Sequence, residues 1–180
     1  LIPALNDFPN DIIITIDDDV YYPKNTLRDL IQIHNCVPNA VIAHRARKIK
    51  LNMPYRKWRK YKWFHFIFKR HILDFHSLQT GVGGVLYPPH CLDRKMLNPD
   101  IFMTIAPTND DIWFWAAAVS KGNYVVPVPG WHKKINEIGK PNELTLKSIN
   151  RKPGDDRNRK ALEDILKYYP EIKQKLENNI

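Results

Sequence analysis

The stretch Asp11-Ile12-Ile13-Ile14-Thr15-Ile16-Asp17-Asp18-Asp19-Val20-Tyr21-Tyr22-Pro23 runs β-branched apolar residues straight into three consecutive carboxylates. Four isoleucines between Ile12 and Ile16 read as a strand buried on both faces, the pattern of a parallel sheet. In open α/β sheets the functional crevice lies beyond the carboxyl ends of the strands, which is where Asp17, Asp18 and Asp19 then stand. Three acids at one strand end do not all ionise cheaply unless a cation shares the site. Oxygen-only ligands select a hard divalent ion such as Mg²⁺ or Mn²⁺. The plainer alternative is a solvated acidic turn that caps the next helix.

The following residues extend this strand into an α/β unit. Pro23-Lys24-Asn25-Thr26 starts a helix with Asn25 or Thr26 as cap, and Leu27, Leu30, Ile31 and His34 follow at helical spacing. Asn35 to Asn39, containing Pro38, ends it, and Ala40 to His44 is a short strand. Strand, helix, strand is the unit of a parallel sheet. The chain opens on Leu1 and reaches its first strong strand almost at once, so a mid-sheet position for that strand places others upstream.

Composition sets outer bounds. The chain has 180 residues, 43% of them hydrophobic, which suits one domain with one core and excludes wholesale disorder. No stretch approaches the ~18 to 20 apolar residues of a membrane span, and no signal-peptide pattern is visible. Cys36 and Cys91 lack metal-type spacing and are too few for a disulfide framework; buried free thiols in a reducing compartment are expected. A net charge of +9 points to an anionic partner: nucleotide, phospholipid surface, acidic glycan or nucleic acid.

Much of that charge lies in residues 45–70, where Arg45, Arg47, Lys48, Lys50, Arg56, Lys57, Arg59, Lys60, Lys62, Lys69 and Arg70 occur without one acid. Tyr55, Trp58, Tyr61, Trp63, Phe64, Phe66 and Phe68 are interleaved with them. Cations among aromatics suit phosphate contacts with stacking on bases or sugars. They equally suit an anionic membrane interface, and the simplest alternative is a mobile basic loop whose aromatics pack on the domain.

Three further segments carry chemistry. Leu78 to Pro89 begins like a strand, but Gly81, Gly83 and Gly84 allow close approach of a ligand or a backbone. The glycines are wrongly spaced for a phosphate-cradling fingerprint, which leaves a sugar-binding wall or a packing bulge. At Pro107 to Trp115 a helix starts, with Thr108 or Asn109 as cap and Asp110 and Asp111 complementing the helix dipole; its apolar body stops at Lys121-Gly122. Tyr124 to Val128 is another strand, and His132, just beyond it, is either a third metal ligand or a structural histidine. A turn cluster at Asn150 to Asn158 leads to an amphipathic helix through Ala161, Leu162, Ile165, Leu166 and Tyr169; Pro170 interrupts it, and Glu171 to Asn179 is polar enough to fray.

This order of motifs resembles a GT-A-type glycosyltransferase of the inverting, family-2-like kind. The likeness rests on Ile14 to Pro23 as a DxD strand, Thr80 to Tyr87 as the glycine-bearing wall of a sugar pocket, and Asn109 to Trp113 as the acidic pair heading the helix behind the site. The segments lie about 60 and then about 30 residues apart, within residues 11 to 122. The resemblance implies a partial GT-A fold, α/β and Rossmann-like, its mostly parallel sheet flanked by helices. A catalytic core over 1–145 would precede a turn and helical tail over 146–180. The family's first nucleotide-binding strands have no counterpart before Leu1, so the second half of such a domain is expected.

The resemblance further implies a nucleotide-sugar donor and a divalent cation, Mn or Mg, with Asp19 as direct ligand. Asp17 or Asp18 would touch the ribose or a metal-bound water, Asp17 and His132 would complete the metal set, and Gly83 and Gly84 would line the donor pocket. Asp110 or Asp111 would be the general base, with Asp111 favoured as the second acid of the pair. The acceptor would be a glycan or lipid-linked, with peripheral contact to anionic membrane through 45–70 at the cytoplasmic, inner face; nucleic acid is disfavoured. The Gln-Xaa-Xaa-Arg-Trp signature of processive synthases is absent, which implies single transfer. Two rivals stand beside it. An aspartyl phosphatase would use Asp17 as nucleophile and Asp19 as general acid, but Tyr21 occupies the place of an expected small hydroxyl residue. A non-enzymatic module would bind anionic lipid or nucleic acid through residues 45–70 alone.

Overall fold

The computed structural model describes residues 1–67, 71–129, 136–137 and 156–178. In chain order these form α1 (Ile2–Asp7), β1 (Ile13–Thr15), β2 (Val20–Tyr21), α2 (Thr26–Cys36), β3 (Val41–Ala43), β4 (Ala46–Lys48), β5 (Arg59–Lys60), β6 (Ser77–Gln79), β7 (Val85–Tyr87), α3 (Pro99–Ile105), α4 (Asp110–Lys121), β8 (Val125–Pro127), β9 (Asn136–Glu137), α5 (Arg157–Tyr168) and α6 (Pro170–Glu177). The architecture is mixed α/β: a four-stranded sheet ordered β1-β7-β3-β8, flanked by helices, beside the pair β2-β9 and a three-stranded sheet ordered β5-β4-β6.

The central sheet is mixed, which corrects the expectation of a mostly parallel one. Among the described strands only β3 and β8 pair in parallel, Ile42 opposite Val126. β7 runs antiparallel to both β1 and β3, with Leu86 opposite Ile14 on one side and Ile42 on the other. The reversal comes from the glycine turn ahead of β7, where Gly84 takes φ +84°, open to glycine at little cost. β1 also departs from expectation. It pairs only with β7 among the described strands, and Ile12 and Ile16 are 39% and 58% exposed, so this isoleucine run is an edge strand rather than a doubly buried one.

Alternation along the inner strands sorts the core onto two faces. Ile42, Leu86 and Val126 join Leu30 of α2 on one face. Val41, Ala43, Val85, Tyr87 and Val125 join the larger core on the other, centred on α4. Every residue of α4 from Ile112 to Val119 is buried. Its two indoles still find acceptors, Trp113 Nε1 donating to the Met96 carbonyl at 2.8 Å and Trp115 Nε1 to the Phe75 carbonyl at 2.9 Å. The helix stops at Gly122, whose φ of +94° is left-handed, and Lys175 Nζ donates to the carbonyls of Val119 and Ser120 at 3.0 and 2.6 Å.

That lysine lies on α6, the segment expected to fray. Pro170 opens α6 at its first turn instead of merely interrupting, and Ile172 and Leu176 are fully buried in the core around α4. Sequence polarity misled because two well-spaced apolar residues suffice when a large apolar helix waits to receive them. The boundary drawn at 145/146 and most of the turn cluster before Asp156 lie outside the described residues. Cys91 is buried, its thiol pushed up to about 12 by burial; Cys36, expected to be buried, is exposed at the end of α2. Among the described residues no helix is long and apolar enough to cross a membrane.

Truncating Leu176 to Ala removes a wholly buried side chain between α6 and α4 and should cost about 2 to 4 kcal/mol in urea unfolding. A loss of a few tenths would mean that α6 frays after all.

Candidate functional site

β1 delivers the acidic turn to the edge of the sheet. Asp17 N–H donates to the Tyr22 phenol oxygen at 2.8 Å, and the Tyr22 hydroxyl donates to the Val82 carbonyl at 3.4 Å. One side chain thus closes the turn Asp17 to Tyr22 on itself and fastens it to the glycine turn. α2 begins directly afterwards with Asn25 at its cap position, one of the two expected, though Asn25 makes no side-chain capping bond and the Thr26 hydroxyl donates to the Pro23 carbonyl at 2.7 Å. Buried His44, at the end of β3, lies with Nε2 2.9 Å from the Thr26 carbonyl, so this nitrogen carries the proton.

The segment from Leu78, expected to begin like a strand and open at its glycines, forms the end of β6, a tight helical turn at Gly81–Gly83, and β7. The Gly81 N–H donates to Asp111 Oδ1 at 2.9 Å. A Cβ on Gly81 would sit 3.4 Å from Asp111 Oδ1 and 3.8 Å from Asp17 Oδ1, so the two carboxylates from distant segments face one glycine. Gly83 and Gly84 are buried, and Gly84 lies against Ile16, Thr15 and Tyr22. The glycine of this turn that meets the acids is Gly81; Gly83 and Gly84, expected to line a donor pocket, are both buried.

At the head of α4, Asn109 occupies the cap position without making a side-chain cap bond. Its amide donates instead to Asn158 Oδ1 at 2.9 Å, joining the acidic helix start to α5. Asp110 is exposed, while Asp111 keeps only part of its surface. Gln79 Nε2 donates to the Asp111 carbonyl at 3.0 Å, so Asp111 is held by its main chain from β6 and by its side chain from the glycine turn.

Charge accumulates where these segments meet. Asp17 is raised above the usual carboxylate range, by burial first and then by Asp19, Asp110 and Asp18, against a lowering pull from Arg45. Asp111 is raised to about 7: burial contributes most and Asp110 next, the Gly81 N–H opposes them, Asp17 raises it further, and Arg45 again lowers it. The strip of Asp111 surface that remains accessible is compatible with this, because the dense surroundings act on the carboxyl itself. The Tyr22 phenol is also raised, chiefly by burial.

The fold therefore brings Asp17, Asp18, Asp19, Asp110 and Asp111 into one field. Among the described residues no group of three or more His, Cys, Asp or Glu forms a ready-made metal cage. His132, expected as a metal ligand, lies outside the described residues. Sequence reading gave Gln79 and Asn158 no part in this site, placed Tyr22 only within the acidic stretch, and counted Arg45 only among the cations of residues 45–70. Arg45 carried a usable signal: it follows Ala43 of β3 by two residues, as Asp17 follows Thr15 of β1, and its carbonyl accepts from Thr80 N at 2.9 Å.

A carboxyl with a raised folded pKa withdraws stability as pH rises. The unfolded chain releases the Asp111 proton near 3.8 and the folded chain near 7, so the loss grows through that window and is complete above it. Asp111→Asn should accordingly gain on the order of 1 kcal/mol at about pH 8 and nothing near pH 4, in urea midpoints taken without divalent ions. An equal gain at both values would refute the burial of charge at this position.

Comparison of the chain with protein-family models, curated proteins and solved structures finds no match.

Proposed function

We propose that this chain carries the catalytic face of a GT-A-type, inverting glycosyltransferase that moves a sugar from a nucleotide-diphosphate donor to a glycan or lipid-linked acceptor. The observation that carries the reading is the convergence of Asp17 and Asp111 on Gly81, with Asp111 poised at about 7. A general base works best when its pKa lies near the operating pH, and Asp111 meets that condition. The mixed sheet with helices on both faces is compatible with a partial GT-A domain; the order of the three motifs is the argument for that fold.

A divalent cation fits the donor set. Asp17 and Asp19 offer only oxygen, and Asp17 is raised first by burial and then by Asp19, Asp110 and Asp18, a like-charge repulsion that a bound cation would relieve. Asp19 and Asp17 would hold it. When bound, such an ion, Mn or Mg, neutralises charge on the departing diphosphate.

The chain's own groups handle the proton and the geometry. Asp111 accepts the acceptor's hydroxyl proton while that oxygen bonds to the anomeric carbon and the sugar–diphosphate C–O bond breaks, its electron pair leaving with the nucleotide. The Gly81 N–H steadies the ionised carboxylate, and the Gln79 amide fixes the backbone from which it projects. Base and leaving group on opposite faces of the sugar give inversion, the logic of single displacement. Arg45, which acts on both Asp17 and Asp111, favours the ionised form of each.

In a thermal-shift screen of nucleotide sugars with Mn²⁺, binding should require metal and vanish in Asp19→Ala. Asp111→Asn should keep donor binding yet lose roughly 10²- to 10⁴-fold in turnover. For the unaltered chain, kcat/KM should fall as pH drops below about 7, where Asp111 takes up its proton. Full turnover in Asp111→Asn would overturn its role as base, and donor binding by Asp19→Ala would overturn the metal assignment.

A further inference from the structure

Between Arg45 and Thr80 the chain leaves the central sheet to build the lobe that contains β4, β5 and β6, then returns. Its two feet are joined: Ala46 pairs with Gln79, and Thr80 N donates to the Arg45 carbonyl. Both feet border the acidic site.

The structure divides the lobe's residues into a packed set and an outward set. Arg47 is buried, donating from Nη1 to the Trp58 carbonyl at 2.8 Å with its guanidinium 4.8 Å from the Tyr55 ring centroid. Trp58 is buried, and its Nε1 donates to the carbonyls of Lys50 and Met53. Tyr61 is buried too, and its phenol oxygen accepts from Ser77 Oγ at 2.9 Å. The packing alternative noted for this segment therefore holds for these residues, and the rings of Trp58 and Tyr61 are committed to the interior.

What faces outward is a different chemistry. Lys50, Arg56, Lys57, Arg59, Lys60 and Lys62 are exposed. On the same loops Met53, Phe64, Ile67 and Leu73 are 45% to 55% exposed. Residues 45–73 contain no acid at all. The first acid is Asp74, which is already engaged, 2.9 Å from Lys48 and 3.0 Å from His76.

We propose that this lobe docks the protein on an anionic phospholipid bilayer, its lysines and arginines meeting headgroups while Met53, Phe64, Ile67 and Leu73 enter the acyl boundary. Charge complementarity selects an anionic partner, since residues 45–73 carry many cations, most of those named above exposed, and not one acid of their own. The outward apolar groups select a bilayer over nucleic acid, because three of the four are aliphatic and have no face on which a base can stack. On the glycosyl-transfer reading, a lobe rooted beside Asp111 would present a lipid-linked acceptor to that base; docking itself does not depend on that reading.

The test is flotation of the full chain with phosphatidylcholine vesicles containing about a third phosphatidylglycerol, against phosphatidylcholine alone, without donor. Binding is expected only to the anionic vesicles and should collapse as salt rises to roughly 0.5 M. Lys57→Glu with Arg59→Glu should weaken it at least ~10-fold. Ile67→Ser with Leu73→Ser should weaken it several-fold at low salt. These positions are exposed, so thermal melts should match the unaltered chain; if a pair lowers the melt, the salt titration of the unaltered chain decides. Equal binding to both vesicles, no binding to either, or retention on an RNA oligonucleotide without binding to vesicles would overturn the proposal. Because no donor is present, a failure of sugar transfer leaves this result standing, and the reverse holds too.

Discussion

The hydrogen bond from Gly81 N–H to Asp111 Oδ1 is the contact on which the candidate site depends. It joins the head of α4 to the turn before β7 and sets the ionisation of Asp111 at the same time. Burial and neighbouring acids push that carboxyl up, while an N–H aimed at one oxygen and the positive charge of Arg45 pull it back. The balance falls near neutrality. A Cβ on residue 81 would meet Asp111 Oδ1 at 3.4 Å and Asp17 Oδ1 at 3.8 Å, ordinary contact distances, so it is the N–H of this residue rather than its lack of a side chain that the bond uses.

An uncomfortable carboxylate needs a rigid support, and α4 provides one. Its body is buried on every side, and both of its tryptophans donate to carbonyls outside the helix, avoiding the ~1 to 3 kcal/mol that an unpaired buried donor costs. Lys175 reaches back from α6 to the carbonyls at its far end. The two C-terminal helices therefore steady the helix that carries Asp111. Asn158 does the same at the near end by bonding to Asn109 beside the acid pair.

Local chemistry was legible in the sequence, whereas relations between elements were not. The isoleucine run marked β1, Lys121-Gly122 marked the end of α4, and the placement of Asp17 and Asp111 after a strand and at a helix start followed from patterns a few residues long. The exposure of Ile12 and Ile16 was hidden, because an apolar run shows that a strand exists without showing how many neighbours cover it. The burial of Trp58 and Tyr61 among so many cations was hidden too, since it depends on Ser77 and on main-chain carbonyls elsewhere in the lobe. Tyr22 stood within the quoted motif, yet its tie to Val82 spans 60 residues and leaves no local signature.

The direction of β7 is the most instructive departure, because the site requires it. β1 and β3 both run antiparallel to β7, so they are parallel to one another and end on the same edge of the sheet, with Thr15 and Ala43 both opposite Val85. Asp17 and Arg45 emerge there, each two residues past its strand, which explains why the one acts on the other. A parallel β7 would begin at the opposite edge and carry its glycine turn away from both. Running antiparallel, it begins where the other two end and sets Gly81 beside Asp17, within reach of Asp111. The acids lie beyond the carboxyl end of β1, where the crevice rule of parallel sheets puts them, and the turn before β7, the strand that departs from that rule, supplies the N–H that holds Asp111.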